Sequence, residues 1–213
     1  MTDKTILVIG TYDTKDEELT FLADVIHAEG GQVITMDVSV LGAPSRPTDY
    51  SKHDVAQEAG SSIAAAIASG NENHAMQIMA RGAALLAARL LTEARFDGVI
   101  ILGGTMGTDL ALDVCSAVPL GVPKYIVSTV AFSPLIPAER LAADTQMILW
   151  AGGLYGWNSA CQASLRQASG AVLAPPRAAR LPDPSRPSTG LSSPSLCPHT
   201  DDIELMLSLL DSS

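Results

Sequence analysis

Three stretches of the chain combine glycine with polar or aromatic neighbours at the points where aliphatic runs end: Gly10-Thr11-Tyr12-Asp13-Thr14-Lys15, Gly103-Gly104-Thr105-Met106-Gly107-Thr108 and Gly152-Gly153-Leu154-Tyr155-Gly156. Each stands between a strand-like run and a helical pattern, where unpaired backbone N–H groups and the helix dipole favour an anion. The chemistry this suits is the holding of phosphate by the main chain. Thr11, Thr14, Thr105 and Thr108 add hydroxyl donors. Asp37 ends the second aliphatic run, where an acidic residue commonly meets a ribose hydroxyl. Neither of the first two loops is a Walker A: Gly10 to Lys15 lacks the second glycine and the Ser/Thr after lysine, and neither reads GxGxxG. Glycines after parallel strands are also ordinary turn residues. Two loops converging on one crevice favour a phosphate-bearing ligand and specify no reaction.

Other reactive residue types are scattered. His27, His53 and His74 are far apart, and Cys115, Cys161 and Cys197 form no CxxC, so no metal site is expected. Ser128-Thr129 lies outside any GxSxG elbow and reads as strand-end packing or a ligand contact. Asp13, Asp16, Glu17 and Glu18 crowd one helix start, where the dipole alone accounts for them.

The elements that must position the loops follow from periodicity. Thr5–Ile9, 32–38, 98–102, 124–129 and 146–150 are short aliphatic runs with the character of strands buried on both faces. Between them, 14–29 reads as a helix opened by a Thr14/Glu17 capping box, 55–70 as weakly helical, and 74–94 as a long amphipathic helix. A helix follows Thr108, and another covers about 157–169. This alternation predicts an α/β fold: a Rossmann-like, open, mostly parallel sheet with helices on both faces. If the first strand lies between the second and third, the first two glycine loops flank the switch point where such sheets bind ligands.

The chain has 213 residues, of which 47% are hydrophobic and 4% aromatic, with 13 Lys+Arg against 23 Asp+Glu for a net charge of −10. The core must be aliphatic. The charge repels nucleic-acid backbones and anionic lipid, so any phosphate must be held by backbone amides or a metal. No apolar run reaches membrane-spanning length and the N-terminus lacks signal-peptide character, so a cytoplasmic location is expected. Seven of the 13 prolines fall between Pro175 and Pro198 among serines and arginines. This divides the chain into a domain over 1–173 and an irregular Pro/Ser-rich tail over 174–213.

The segments IGTYDTKDEELTFL, VIILGGTMGTDLA, VPLGVPKYIVSTVA and GGLYGWNSACQASLRQASGAV together resemble the Tm-one-like ATP-binding domain family over about residues 4–173. The order GTxDTK, GGxxGT, STVA is more specific than any one loop. The resemblance implies two Rossmann-like halves, the first binding ATP, in a dimeric protein about twice this length. It puts nucleotide contacts at Gly10, Thr11, Asp13, Thr14 and Lys15 and at Gly103, Gly104, Thr105, Gly107 and Thr108, with Ser128 and Thr129 bordering the pocket. The tail stands where the family continues into its second half. The resulting expectation is an ATP-binding domain, with Mg²⁺ accompanying the nucleotide, that acts through nucleotide-dependent association as a homodimer or with a protein partner. The alternative is an ATP-using enzyme with its substrate site between the two halves. Met76 and Met79, on the long helix, are expected to suit an adaptable dimer contact.

Overall fold

The computed structural model describes residues 4–150 and 156–174. Five strands, β1 (Thr5–Gly10), β2 (Gln32–Asp37), β3 (Gly98–Gly103), β4 (Lys124–Ser128) and β5 (Thr145–Leu149), form one sheet in the order β2-β1-β3-β4-β5. All four pairings are parallel. Alternate residues of the central strands face opposite sides, and both sides are apolar, as a parallel sheet covered twice requires. Leu7, Ile9, Val99, Ile101 and Ile126 pack in one cluster with α2 (Lys52–Glu58), α3 (Ile63–Ala68), α4 (Glu72–Thr92) and α5 (Thr105–Ala117). Ile6, Val8, Ile100, Leu102 and Val127 pack in the other with α1 (Asp16–Ala28) and α6 (Ser159–Leu173). The expected α/β architecture is therefore the one observed.

Local details differ from the sequence expectations. The first helix starts at Asp16 with Lys15 as its cap and no side-chain capping bond, so the Thr14/Glu17 capping box does not form. Thr14 instead closes a turn: its N–H donates to the Thr11 carbonyl at 3.1 Å, and the Thr11 and Thr14 hydroxyls share a hydrogen bond of 2.9 Å. A capping box does form at Ser51/Asp54, which opens α2. The weakly helical stretch 55–70 belongs to two helices, separated at Gly60, whose φ of +73° is a left-handed conformation that glycine adopts without strain. Ser62 caps the second of them, and α4, capped by Asn71, starts at Glu72, two residues before the expected His74. Gly82, in the middle of α4, lets that helix lie against α2: a Cβ there would stand 2.0 Å from the Val55 carbonyl oxygen. Met79 is fully buried in this layer and Met76 is partly buried against it, so Met79 is unavailable for the expected dimer contact.

The third glycine loop, apart from Gly156, and the tail from 175 onward lie outside the described residues. Among the described residues no helix is long and apolar enough to cross a membrane.

Candidate functional site

Strand order brings the first two glycine loops together. β1 and β3 are direct neighbours, while the chain leaves β1 towards α1 on one face and β3 towards α5 on the other. The carboxyl ends of the two strands therefore flank a switch point, and a crevice opens there. Its volume is about 570 Å³, within the usual range for small-molecule sites. Thr11, Asp13, Thr14 and Gly107 line it, together with the stretch from Val38 to Leu41, the end of α3 and the start of α4. A second cavity of about 400 Å³ lies on the other side of the α5 start and includes Thr105, Thr108, Asp109 and Asp113 in its lining. Met76 and Met106 border both.

The glycines of the β3–α5 turn divide into two kinds. At Gly103 an added Cβ would stand 2.6 Å from the Gly107 carbonyl carbon, so packing alone demands glycine; at Gly10 it would meet the Leu19 side chain at 2.7 Å. Gly104 caps α5 with φ −76°, and an added Cβ would find only the Thr129 hydroxyl, at 3.9 Å. At Gly107 it would meet only the Leu102 carbonyl oxygen, also at 3.9 Å. Neither sterics nor a positive φ requires glycine at these two positions, and glycine within a helix is unfavourable. What their lack of a side chain provides is open access to the first-turn N–H groups, which have no intrahelical acceptor.

Hydroxyls and backbone brace the turn from behind. Thr108 Oγ1 donates to the Gly104 carbonyl at 2.7 Å and lies 2.6 Å from Ser128 Oγ, which in turn accepts from the Val130 N–H at 3.0 Å. The Thr129 N–H donates to the Gly103 carbonyl at 3.3 Å. Both Ser128 and the Thr108 side chain are buried in this network. Ser128 ends β4 in register with Gly103, and it braces the turn that carries Gly104.

Of the anticipated ligand contacts, only Thr11, Asp13, Thr14 and Gly107 line this crevice; Asp37 and Lys15 are drawn into other contacts. Asp37 is 1% exposed and does not line the crevice. Its Oδ1 accepts from the N–H groups of Tyr12 at 3.2 Å and Ser39 at 2.9 Å, and its Oδ2 accepts from the Ser39 hydroxyl at 2.9 Å. The carboxylate ties the β1 loop to the stretch after β2. Reaching a ribose would break those bonds. Lys15 turns to the opposite face: its ammonium lies 3.7 Å from Glu18 and 4.8 Å from the centre of the Trp150 ring.

Residues without any sequence signal complete the crevice. Gly42 donates its N–H to Asp13 Oδ2 at 3.1 Å, and Lys52 donates to the Val40 carbonyl at 3.1 Å and to the Gly42 carbonyl, so the loop after β2 is fixed at both sides. Tyr12 is buried in the layer with α1 and α6; burial first, and then the Asp37, Asp49 and Asp16 carboxylates, push its phenol up and keep it neutral. Contacts between a loop after β2 and a helix start after β1 depend on the pairing of the strands, so spacing in the sequence could not show them. Among the described residues no group of three or more His, Cys, Asp or Glu side chains is placed to hold a metal ion.

Comparison with known proteins adds the family context. The family described as "Uncharacterised protein family (UPF0261) N-terminal domain" matches residues 4–179. A UPF0261 protein of Brucella suis is 53% identical over 188 residues, covering 88% of this chain and 45% of the relative. A UPF0261 protein of Clostridium tetani is 35% identical over 173 residues, 80% of this chain and 42% of its own length. The tomato "ToMV susceptible protein tm-1(GCR26)" is similar more distantly, at 29% over 145 residues, 59% of this chain and 19% of the plant protein. The chain thus spans somewhat under half the length of the bacterial relatives it matches.

Proposed function

The chain belongs to the UPF0261 family and carries its N-terminal domain, and we propose that this domain binds a nucleotide, ATP in the first instance, at the crevice between the ends of β1 and β3. One observation carries the reading: Gly104 and Gly107 leave the first turn of α5 bare although neither packing nor backbone conformation calls for glycine there. Phosphates accept hydrogen bonds from such a turn, and the helix dipole favours their charge. Thr11 and Thr14 supply hydroxyls from the facing loop, and Asp13, which lines the same crevice, would be the carboxylate to hold Mg²⁺ accompanying the nucleotide. The absence of a Walker lysine in the loops matches a site that binds through main chain. Nucleotide binding then controls association, with a second copy of the chain or another protein. Phe132 and Leu135, 78% and 66% exposed on the loop after β4, offer apolar surface for such contact, and Leu135 lines the second cavity.

A second reading is an ATP-using enzyme. The 400 Å³ cavity sharing Met76 and Met106 with the crevice favours it, because a co-substrate there would lie beside the same helix turn. In the bacterial relatives, of which this chain matches somewhat under half, the remainder of the protein could complete such a cavity.

Calorimetry with ATP and tripolyphosphate, and sedimentation velocity with and without ATP, test the first reading. Micromolar binding and an ATP-dependent rise in mass are expected. Phosphate release with Mg²⁺ that disappears in Thr105→Ala would favour the enzyme.

A further inference from the structure

The two ends of the crevice differ in character. Thr11, Thr14 and Gly107 make one end polar, whereas Val38, Val40, Leu41, Ile67 and Met76 make the rest apolar. Leu41, from the loop after β2, is 80% exposed, and Ile67, from the last turn of α3, is 47% exposed. Two large aliphatic side chains from separate elements are thus held at one cavity with much of their surface in water. The loop bearing Leu41 is not free to fold away, because the Lys52 ammonium and Asp13 hold it through the main chain of Val40 and Gly42.

Polar side chains near this apolar end are largely committed. The Ser39 hydroxyl donates to Asp37, and the Asn71 side-chain oxygen caps α4 by accepting from the His74 N–H at 3.1 Å. Glu72, exposed at the start of α4, is the remaining acceptor at the rim. Its carboxylate would take an amino hydrogen from adenine or guanine alike. Asp37, the residue that would read a ribose, is buried and engaged.

The geometry points to a nucleobase slot, in which a planar heteroaromatic ring lies against Leu41 and Ile67 while the phosphates reach the α5 turn. This inference rests on the nucleotide reading and extends it. The ligand class becomes purine nucleoside triphosphates held by their two ends, with neither the identity of the purine nor the 2′-hydroxyl distinguished. Covering two aliphatic side chains supplies affinity through apolar contact, which does not discriminate between purine edges.

The test uses the full chain and titration calorimetry with ATP, dATP, GTP and tripolyphosphate. In the wild type the three nucleotides should bind within about threefold of one another and at least tenfold more tightly than tripolyphosphate. The exposed double substitution Leu41→Ser/Ile67→Ser should weaken all three nucleotides by roughly tenfold, from the apolar area lost, and leave tripolyphosphate unchanged. Circular dichroism checks that the variant is folded, and saturation-transfer NMR on the adenine H2 and H8 protons gives an independent readout that should fade in it. Unchanged ATP affinity in the folded variant, or a large preference for one purine, overturns the slot while leaving the phosphate site standing. Absence of binding by both ATP and tripolyphosphate in the wild type overturns the nucleotide reading and the slot with it.

Discussion

The Tyr12 N–H donates to Asp37 Oδ1 across 3.2 Å, joining the loop after β1 to the end of β2. Because the same oxygen accepts from the Ser39 N–H and the other accepts from the Ser39 hydroxyl, one buried carboxylate sets the spacing of two crevice walls. Asp37→Ala leaves three donors without this acceptor and should cost about 2–4 kcal/mol of stability. Since the carboxylate is buried and engaged by Tyr12 and Ser39, affinities for ATP and for tripolyphosphate should fall by similar factors. Calorimetry showing a loss confined to ATP would place Asp37 on the ribose after all.

Gly103 and Gly104 should behave differently despite being adjacent. Gly103→Ala drives a methyl group into the Gly107 backbone, and should cost about 3 kcal/mol, the upper end for overpacking, because backbone cannot rotate aside. A Cβ at Gly104 would meet only the Thr129 hydroxyl, at 3.9 Å; Gly104→Val should stay folded while weakening ATP binding by tenfold or more. Denaturant melts and calorimetry on the two variants separate the roles, and a Gly104→Val protein with wild-type ATP affinity would remove the α5 turn from the site.

Acid should weaken the domain at the end of the sheet away from the crevice. Lys124 is fully buried and donates at 2.7 Å both to Asp144 Oδ2 and to the Pro119 carbonyl. Burial pushes the Asp144 carboxyl up, but hydrogen bonds from Lys124 and the Gly121 N–H, with the lysine charge, outweigh it and hold the carboxyl below its usual range. A depressed folded pKa contributes stability that is complete above the unfolded value of about 3.9 and is lost as pH falls through the folded one. Melting temperature should therefore drop below about pH 4, and less steeply in Lys124→Met. Asp144→Asn, which strands the buried ammonium, should cost about 3 kcal/mol, the low end for such pairs because Asp144 is 29% exposed.

Cys115 is buried on α5, and burial pushes its thiol up to about 11. With little thiolate and no access, it should resist a maleimide at pH 8 in the native state and react only as fast as the protein opens. Tryptic mapping of the labelled peptide checks this; rapid native labelling would mean that α5 lifts from the sheet readily.

Periodicity was enough to read most of the fold. The runs at Ile6–Ile9, Val99–Leu102 and Tyr125–Val127 are apolar on both faces, as a doubly covered parallel sheet requires, and helix patterns between them supply the covers. The glycine loops were legible for the same reason, since each stands where a strand must give way to a helix. Local competition was not legible. Thr14 has the right spacing for a capping box, yet its hydroxyl bonds Thr11, because the turn after β1 closes one residue before the helix can begin. Gly60 splits what alanine content alone presents as continuous helix.

The sequence by itself determined the parallel sheet, its helical layers and the two loops able to bare their amides, because those depend on neighbours within one turn or one strand. Only the tertiary structure decided which residues share the crevice. Strand order set β1 beside β3, and the packing of loops between elements turned Asp37 inward, sent Lys15 to the Trp150 face and brought Leu41 and Ile67 to one cavity. Those outcomes include contacts between distant residues, Tyr12 with Asp37 and Lys15 with Trp150, and local spacing carries no information about which distant groups a side chain will find.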